Sequence, residues 1–311
     1  MTDVAVIGPG RVGTALAMAL PRPAYRVVAV AGRGRAALER FTRLVPEAEV
    51  TDAVSAGARA DLVIVAVGDD DLVEVVRAVA RDGGVRPGSR WIHVAGGAGV
   101  DVLEPVRAAG AHVAACHPAA TFPDPETGRD NLPGSAWAVT AAEGDLGWAR
   151  VLVTDLRGSP VTVHPRSRTL YHAGLAVGSN ATATVVTLAR DLLLGAGVSD
   201  PEQFLGPLVT TSARGAAARG AAALTGPVRR GDAGTVAAHL AELRTVMPEA
   251  VEAYLALSRL ALRYARRAGL SPDAADAVAA VLDGLDPPRD AVATGPAADP
   301  SAGSAGEGGG S

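Results

Sequence analysis

Val4-Ala5-Val6-Ile7-Gly8-Pro9-Gly10-Arg11-Val12-Gly13 is the stretch whose reading decides the fold. A short apolar run with strand character breaks into a glycine-rich turn, and the turn opens an amphipathic helix over Val12–Leu20. In such a turn the first glycine lets the chain reverse tightly. The second lets backbone N–H groups approach a pyrophosphate, and the third lets helix and strand pack closely. The positive end of the helix then faces the anion. Gly8, Pro9, Gly10, Arg11, Val12 and Gly13 are therefore candidate dinucleotide-binding residues. With 37 glycines in the chain the motif alone is weak. Its weight comes from its place between a strand and a helix, with a second strand after the expected interval.

The same beat continues outward. Arg26–Val30 is followed by a helical Arg35–Leu44, Leu62–Val67 by Asp71–Ala80, Trp91–Val94 by Val100–Ala109, and Val113–Ala115 reads as a further strand. Strands alternating with helices to about Thr140 predict a parallel, doubly wound α/β domain of Rossmann type. From Leu170 the apolar spacing changes to three and four, over Leu170–Ala196, Glu202–Ala223, Ala233–Ala268 and Pro272–Leu285, which predicts an all-helical C-terminal domain. The expected organisation is a Rossmann domain over 1–165, a helical substrate or dimerisation domain over 166–285, and a disordered tail over 286–311, where Pro, Gly, Ala and Ser dominate.

Charge and composition exclude several classes of partner. A net charge of −4, with charged residues making up 20% of the chain in both signs, leaves no basic footprint for nucleic acid or an anionic membrane. No uncharged apolar run approaches the length of about 18 residues that spans a bilayer, and the N-terminus has no signal-peptide pattern. One cysteine, Cys116, allows neither an intrachain disulfide nor a cysteine metal cluster. A cytoplasmic protein with a small-molecule substrate and no metal is expected.

Cofactor choice is read at the end of the second strand, where an acidic residue would hold the ribose 2′-hydroxyl of NAD. Here the chain runs Val28-Ala29-Val30-Ala31-Gly32-Arg33-Gly34-Arg35. Arg33 and Arg35 are permanently charged donors suited to a 2′-phosphate, so the predicted cofactor is NADP(H). The alternative reading is two solvated arginines at a helix start. After the third strand, Val67 and Gly68 are expected to line the dinucleotide, while Asp69, Asp70 and Asp71 read as the first turn of a helix.

Two of the six histidines sit where chemistry is expected. His117 follows a strand in Cys116-His117-Pro118-Ala119-Ala120-Thr121, with Thr121 a further candidate, and His172 opens a long helix in Tyr171-His172-Ala-Gly-Leu-Ala-Val-Gly-Ser179-Asn180. On a regular helix His172, Ala176, Ser179 and Asn180 share an arc of roughly 100°. Hydride delivery to a carbonyl leaves an alkoxide that needs a proton, and imidazole, with a pKa of about 6.5, is a suitable donor. Ser179 and Asn180 are placed to hydrogen-bond substrate oxygens. The two segments are expected to meet across an interdomain cleft, with Leu224–Asp232 as a candidate closing segment. Structural roles compete with each assignment: a helix cap for His172, a buried histidine in a His-Pro turn for His117, and a helix-ending turn for Leu224–Asp232.

The combination of GPGRVGTALA from Gly8, AVGDDDL from Ala66, CHPAATF from Cys116, YHAGLAVGSN from Tyr171 and LTGPVRRGD from Leu224 resembles a bacterial family of Rossmann-like proteins with a helical C-terminal domain of unknown function. The resemblance spans about residues 3 to 265. That family is similar to the 6-phosphogluconate, 3-hydroxyisobutyrate and ketopantoate dehydrogenase group. The resemblance implies NADPH-dependent reduction of a small 2-oxo acid, 2-dehydropantoate among them, and a homodimer formed through the helical domain. In the larger group a catalytic lysine precedes an asparagine by one helical turn. Here Ala176 stands in the lysine position and Asn180 is retained, which passes proton donation to His172 or His117. The His-Pro element is also similar to a segment of prephenate dehydrogenases, which implies NAD(P)-dependent oxidation. The missing lysine leaves room for a non-catalytic NADP(H)-binding sensor.

Overall fold

The computed structural model describes residues 1–284. Leu285, the expected end of the last helix, and the tail over 286–311 lie outside the described residues. The chain divides into two compact units, Met1–Asn180 and the part from Ala181 onward.

In the first unit β1 (Thr2–Ile7), α1 (Arg11–Ala19), β2 (Tyr25–Ala31), α2 (Arg35–Leu44), β3 (Glu49–Thr51), α3 (Ala53–Arg59), β4 (Leu62–Val65), α4 (Asp69–Arg81), β5 (Arg90–His93), α5 (Glu104–Ala108) and β6 (His112–Pro118) follow one another. They continue into α6 (Pro125–Asp130), β7 (Ala136–Ala141), α7 (Glu143–Asp155), β8 (Ser159–Thr162) and α8 (Arg168–Ala176). The strands form one eight-stranded sheet in the order β3-β2-β1-β4-β5-β6-β7-β8. Only β6 and β7 pair antiparallel. The strand order reverses between β1 and β4, the switch point at which doubly wound sheets bind their ligands.

The continuous apolar reading of β1 has a direct cause. Val4 and Val6 pack on one face with Leu16, Phe41 and Trp137, and Ala5 and Ile7 pack on the other with Val76 and Trp91. A parallel strand covered by helices on both sides has no solvent face to make polar. The short β3 and α3 lack such a pattern. β3 is a mostly exposed edge strand, and α3 is started by Asp52, whose carboxylate accepts from the Ser55 backbone N–H at 2.9 Å.

The second unit contains α9 (Thr182–Gly195), α10 (Pro201–Arg219), α11 (Pro227–Arg230), α12 (Ala233–Val246), α13 (Val251–Arg267) and α14 (Pro272–Leu282). Val228, Val236, Leu240, Leu262 and Val278 form the core of α11 to α14. The single helix expected over Ala233–Ala268 is two. Pro248 has no N–H to donate and disfavours helical backbone at Met247, which adopts φ −148° and ψ 70°. α10 ends at Arg219, ahead of the expected Ala223, because Gly220 turns at φ 57°. Leu170–Ala196 is likewise interrupted, by a π-helical turn over Val177–Ala181. Residues 166–180 fall within the first compact unit, so the break between units lies later than the expected boundary after residue 165. Among the described residues no helix is long and apolar enough to cross a membrane.

Candidate functional site

The glycine turn makes a cavity of about 690 Å³ at the ends of β1, β2 and β4. Gly8 adopts φ +107°, and a Cβ there would lie 2.4 Å from the Ala66 carbonyl oxygen. A Cβ at Gly13 would lie 2.1 Å from the Gly8 carbonyl oxygen. Both glycines are thus needed to close strand on helix. Gly10, which caps α1, has open space on its Cβ side, so its small size leaves room for a ligand. The cradle fits a pyrophosphate group in the way the sequence motif requires.

Gly8, Pro9, Gly10, Val67 and Gly68 line this cavity. The other members of the predicted turn do not. Val12 packs against the core, Gly13 lies beneath the turn, and Arg11 reaches the Pro123 carbonyl at 3.3 Å. Arg33 lines the cavity at the β2 end and forms an ion pair with Asp71 in the first turn of α4. Arg35 is not among the lining residues; its side chain is 92% exposed and bonds Glu39 one helical turn on. Asp71 therefore has a position on the cavity that its reading as a helix first turn did not include.

A second cavity, of about 570 Å³, is lined by His117, Thr121, Asn131, His172, Ser179 and Asn180 among others. All of these residues belong to the first unit, so His117 and His172 do not need a second domain to meet. Their rings pack edge to face, with centroids 5.7 Å apart. Gly96, just past β5, makes room for both rings: a Cβ there would come within 2.5 Å of the His172 ring and 2.9 Å of His117 Nε2. Ser179 and Asn180 sit in the π turn and still line the cavity with His172, although a regular helix was the basis for grouping them. The Asn131 side-chain amide donates to the Thr121 carbonyl at 2.9 Å.

Behind the histidines lies a group that the sequence does not single out. The Arg168 side chain is fully buried. It donates to the Ala95 carbonyl at 2.7 Å and to Thr140 Oγ1 at 3.2 Å, and its Nε has no partner. These bonds tie α8 to the loop after β5 and to β7. His93 is also buried and bonds the Gly99 carbonyl at 3.0 Å, so the loop that presents Gly96 is held at both ends.

The electrostatics follow from burial. Desolvation, with the charges of Arg168 and His172, pushes the His117 pKa down to about 4. His93 is likewise lowered to about 4, chiefly by burial. Burial raises the Tyr171 hydroxyl above its ordinary value, against the opposing field of Arg168. Cys116 is buried and pushed up to about 12, which makes it an inert thiol at neutral pH. The segment around Gly226–Gly231 forms α11 within the second unit's core, with Val228 buried and Arg229 donating to the Ala268 carbonyl at 3.1 Å.

Buried glycines at a strand end, and an arginine whose partners are backbone and hydroxyl groups of distant elements, have no periodic signature. Gly96 in Ala95-Gly96-Gly97 was visible only as one more glycine pair.

The fold is shared with several solved proteins. A candidate NADP oxidoreductase from Bacteroides fragilis is 25% identical over 84% of this chain and 97% of its own, with a TM-score of 0.70. A protein from Thermotoga maritima is 17% identical over 85% and 98%, with a TM-score of 0.64. An imine reductase from Myxococcus stipitatus in complex with NADP+ is 18% identical over 84% and 94%, with a TM-score of 0.61. No match was found among curated proteins. Two family models do match, a Rossmann-like domain over residues 1–118 and a domain of unknown function, DUF2520, over residues 135–283.

Proposed function

We propose that this chain is an oxidoreductase that uses NADP(H) to reduce a small 2-oxo acid, with 2-dehydropantoate the first substrate to test. One observation carries the reading. The glycine cradle and the histidine-lined cavity both follow the C-terminal ends of the parallel strands β1, β4, β5 and β6 within one compact unit. This is the edge at which nucleotide and substrate meet in doubly wound folds. The likeness to the Bacteroides fragilis protein, at 25% identity over nearly its whole length, supports the cofactor class.

In this reading the backbone of Gly8 and Gly10 receives the pyrophosphate, and Arg33 receives the 2′-phosphate after leaving Asp71. The bound nicotinamide supplies a hydride. His172 donates the proton that the reduced carbonyl oxygen takes up, and Ser179, Asn180 and Thr121 bind substrate oxygens. His117 stays neutral near pH 7 and is oriented by Tyr171. A cytoplasmic homodimer is part of the same proposal, supported by Phe204 and Leu208 on α10, which are about 60% exposed.

The test is a fluorescence titration with NADPH and with NADH, followed by NADPH-consumption assays on 2-dehydropantoate and related 2-oxo acids. Binding of NADPH and turnover of one such acid is the expected result. Absence of nucleotide binding at millimolar concentration overturns the proposal, and binding with no turnover of any 2-oxo acid turns it into a sensor.

A further inference from the structure

Arg168 is a complete charge taken out of water without an opposite charge. Its exposure is 0%, its guanidinium bonds only the Ala95 carbonyl and Thr140 Oγ1, and among the described residues no carboxylate pairs with it. Two neutral acceptors compensate such burial only in part, and an anion nearby adds a Coulombic attraction that they do not supply. The protein's own titratable groups around it do not provide one. Tyr171 and His172 from α8, Cys116 and His117 from β6, and His93 from β5 supply a phenol, a thiol and imidazoles, and no carboxylate.

The cavity beside this cluster has the same imbalance. No Asp, Glu, Lys or Arg lines it, so its walls are apolar groups, two imidazoles, hydroxyls and amides. Arg168 reaches it in one short step. Its guanidinium holds the Ala95 carbonyl, and the next residue, Gly96, is the one against which both His117 and His172 pack. A fixed positive charge behind the two rings biases the cavity that they line toward anions.

We propose that Arg168 is the residue that makes this cavity select an anionic substrate, the carboxylate of the bound acid being the counter-charge that the buried guanidinium lacks. This deepens the reading given above and rests on it for the location of the site. Arg168 acts through the loop and through space, as a positioning and selecting residue, and touches neither the reacting carbonyl nor the cofactor.

The experiment compares pyruvate with pyruvamide, which has the same shape and no charge, as probes of wild type, Arg168→Lys and Arg168→Met. Binding is followed by the histidine ring signals of protein carrying labelled histidine, with and without saturating NADP+. Wild type is expected to bind pyruvate about tenfold or more tighter than pyruvamide. Arg168→Lys keeps that preference. Arg168→Met loses it while binding pyruvamide as before, and its His117 ring titrates at higher pH than in wild type. A purely structural clamp predicts instead that both variants weaken both probes equally. Equal affinities of wild type for the two probes, or a preference that survives in Arg168→Met, overturn the proposal. If Arg168→Met does not fold, the wild-type preference and its retention in Arg168→Lys decide. A parallel NADP+ titration separates the two readings: nucleotide binding without carboxylate preference removes this inference alone, and carboxylate preference without nucleotide binding removes the oxidoreductase reading alone.

Discussion

The Tyr171 hydroxyl and His117 Nδ1 lie 2.9 Å apart, joining α8 to the end of β6. Burial keeps the phenol protonated at neutral pH, so it can donate to the ring nitrogen and leave the hydrogen on Nε2, the nitrogen that approaches Gly96. Tyr171→Phe removes this orientation and leaves a largely buried nitrogen without its partner. A loss of about 1 kcal/mol in stability is expected, together with a lower kcat and an unchanged affinity for NADPH. Urea unfolding and steady-state kinetics check it; an unaltered kcat removes His117 orientation from the mechanism.

Acid sensitivity follows from the two histidines that burial lowers to about 4, His93 and His117. Between that value and the unfolded value of about 6.5 the unfolded chain binds protons that the folded chain refuses, so stability is complete above pH 6.5 and is lost as pH falls toward 4. Each unit of separation is worth about 1.4 kcal/mol, giving up to about 3 kcal/mol for the fully buried His93 and less for the partly exposed His117. Unfolding free energies at pH 7, 5.5 and 4.5 test this. His93→Gln should flatten the slope, and an identical slope in that variant contradicts the assignment.

Gly8 and Gly10 should respond to alanine in opposite ways. At Gly8 the positive φ and the Ala66 carbonyl leave no room for a Cβ, so Gly8→Ala is expected to lose about 1–3 kcal/mol of stability. At Gly10 nothing lies within 4 Å. Gly10→Ala should melt like wild type while binding NADPH about tenfold or more weakly, because the added methyl occupies ligand space. Thermal melts and titrations run side by side distinguish the two; normal NADPH affinity in Gly10→Ala means the pyrophosphate does not sit there.

Arg33 and Arg35, equivalent in the sequence, are not equivalent in the fold. Arg33→Ala is expected to weaken NADPH binding by about 1–3 kcal/mol and NADH binding far less, whereas Arg35→Ala should change either by a smaller amount. Asp71→Asn releases Arg33 from its ion pair and should tighten NADPH at low salt, with the gain fading as ionic strength rises. Equal losses for both nucleotides in Arg33→Ala would remove the argument for NADP(H).

His172→Ala is expected to lower kcat about a hundredfold with cofactor affinity unchanged. Gly96→Ala should approach the same loss with both histidines retained, since the new methyl would crowd the two rings out of place. An unchanged rate in His172→Ala passes the proton to His117 or to water, and the pH profile of that variant shows which.

The sequence alone determined the α/β first half and the helical character of the second, because a strand covered on both faces and a helix with one apolar face leave periods that a short window contains. It also marked the Gly8–Gly13 turn, where Gly13 answers a demand from Gly8 five residues away, although the carbonyl that demands a glycine at Gly8 belongs to distant Ala66. The histidine pair was legible as candidates, not as a site. What joins them are the His117–Tyr171 bond across 54 residues and the Arg168–Ala95 bond across 73, and no local pattern encodes contacts so far apart. Tertiary structure decided that His172 belongs with the first compact unit, that Arg33 faces the cavity while Arg35 does not, and that a buried guanidinium stands behind the histidines. Burial, which takes Arg168 out of water and lowers the pKa of His117, exists only once the distant elements have packed.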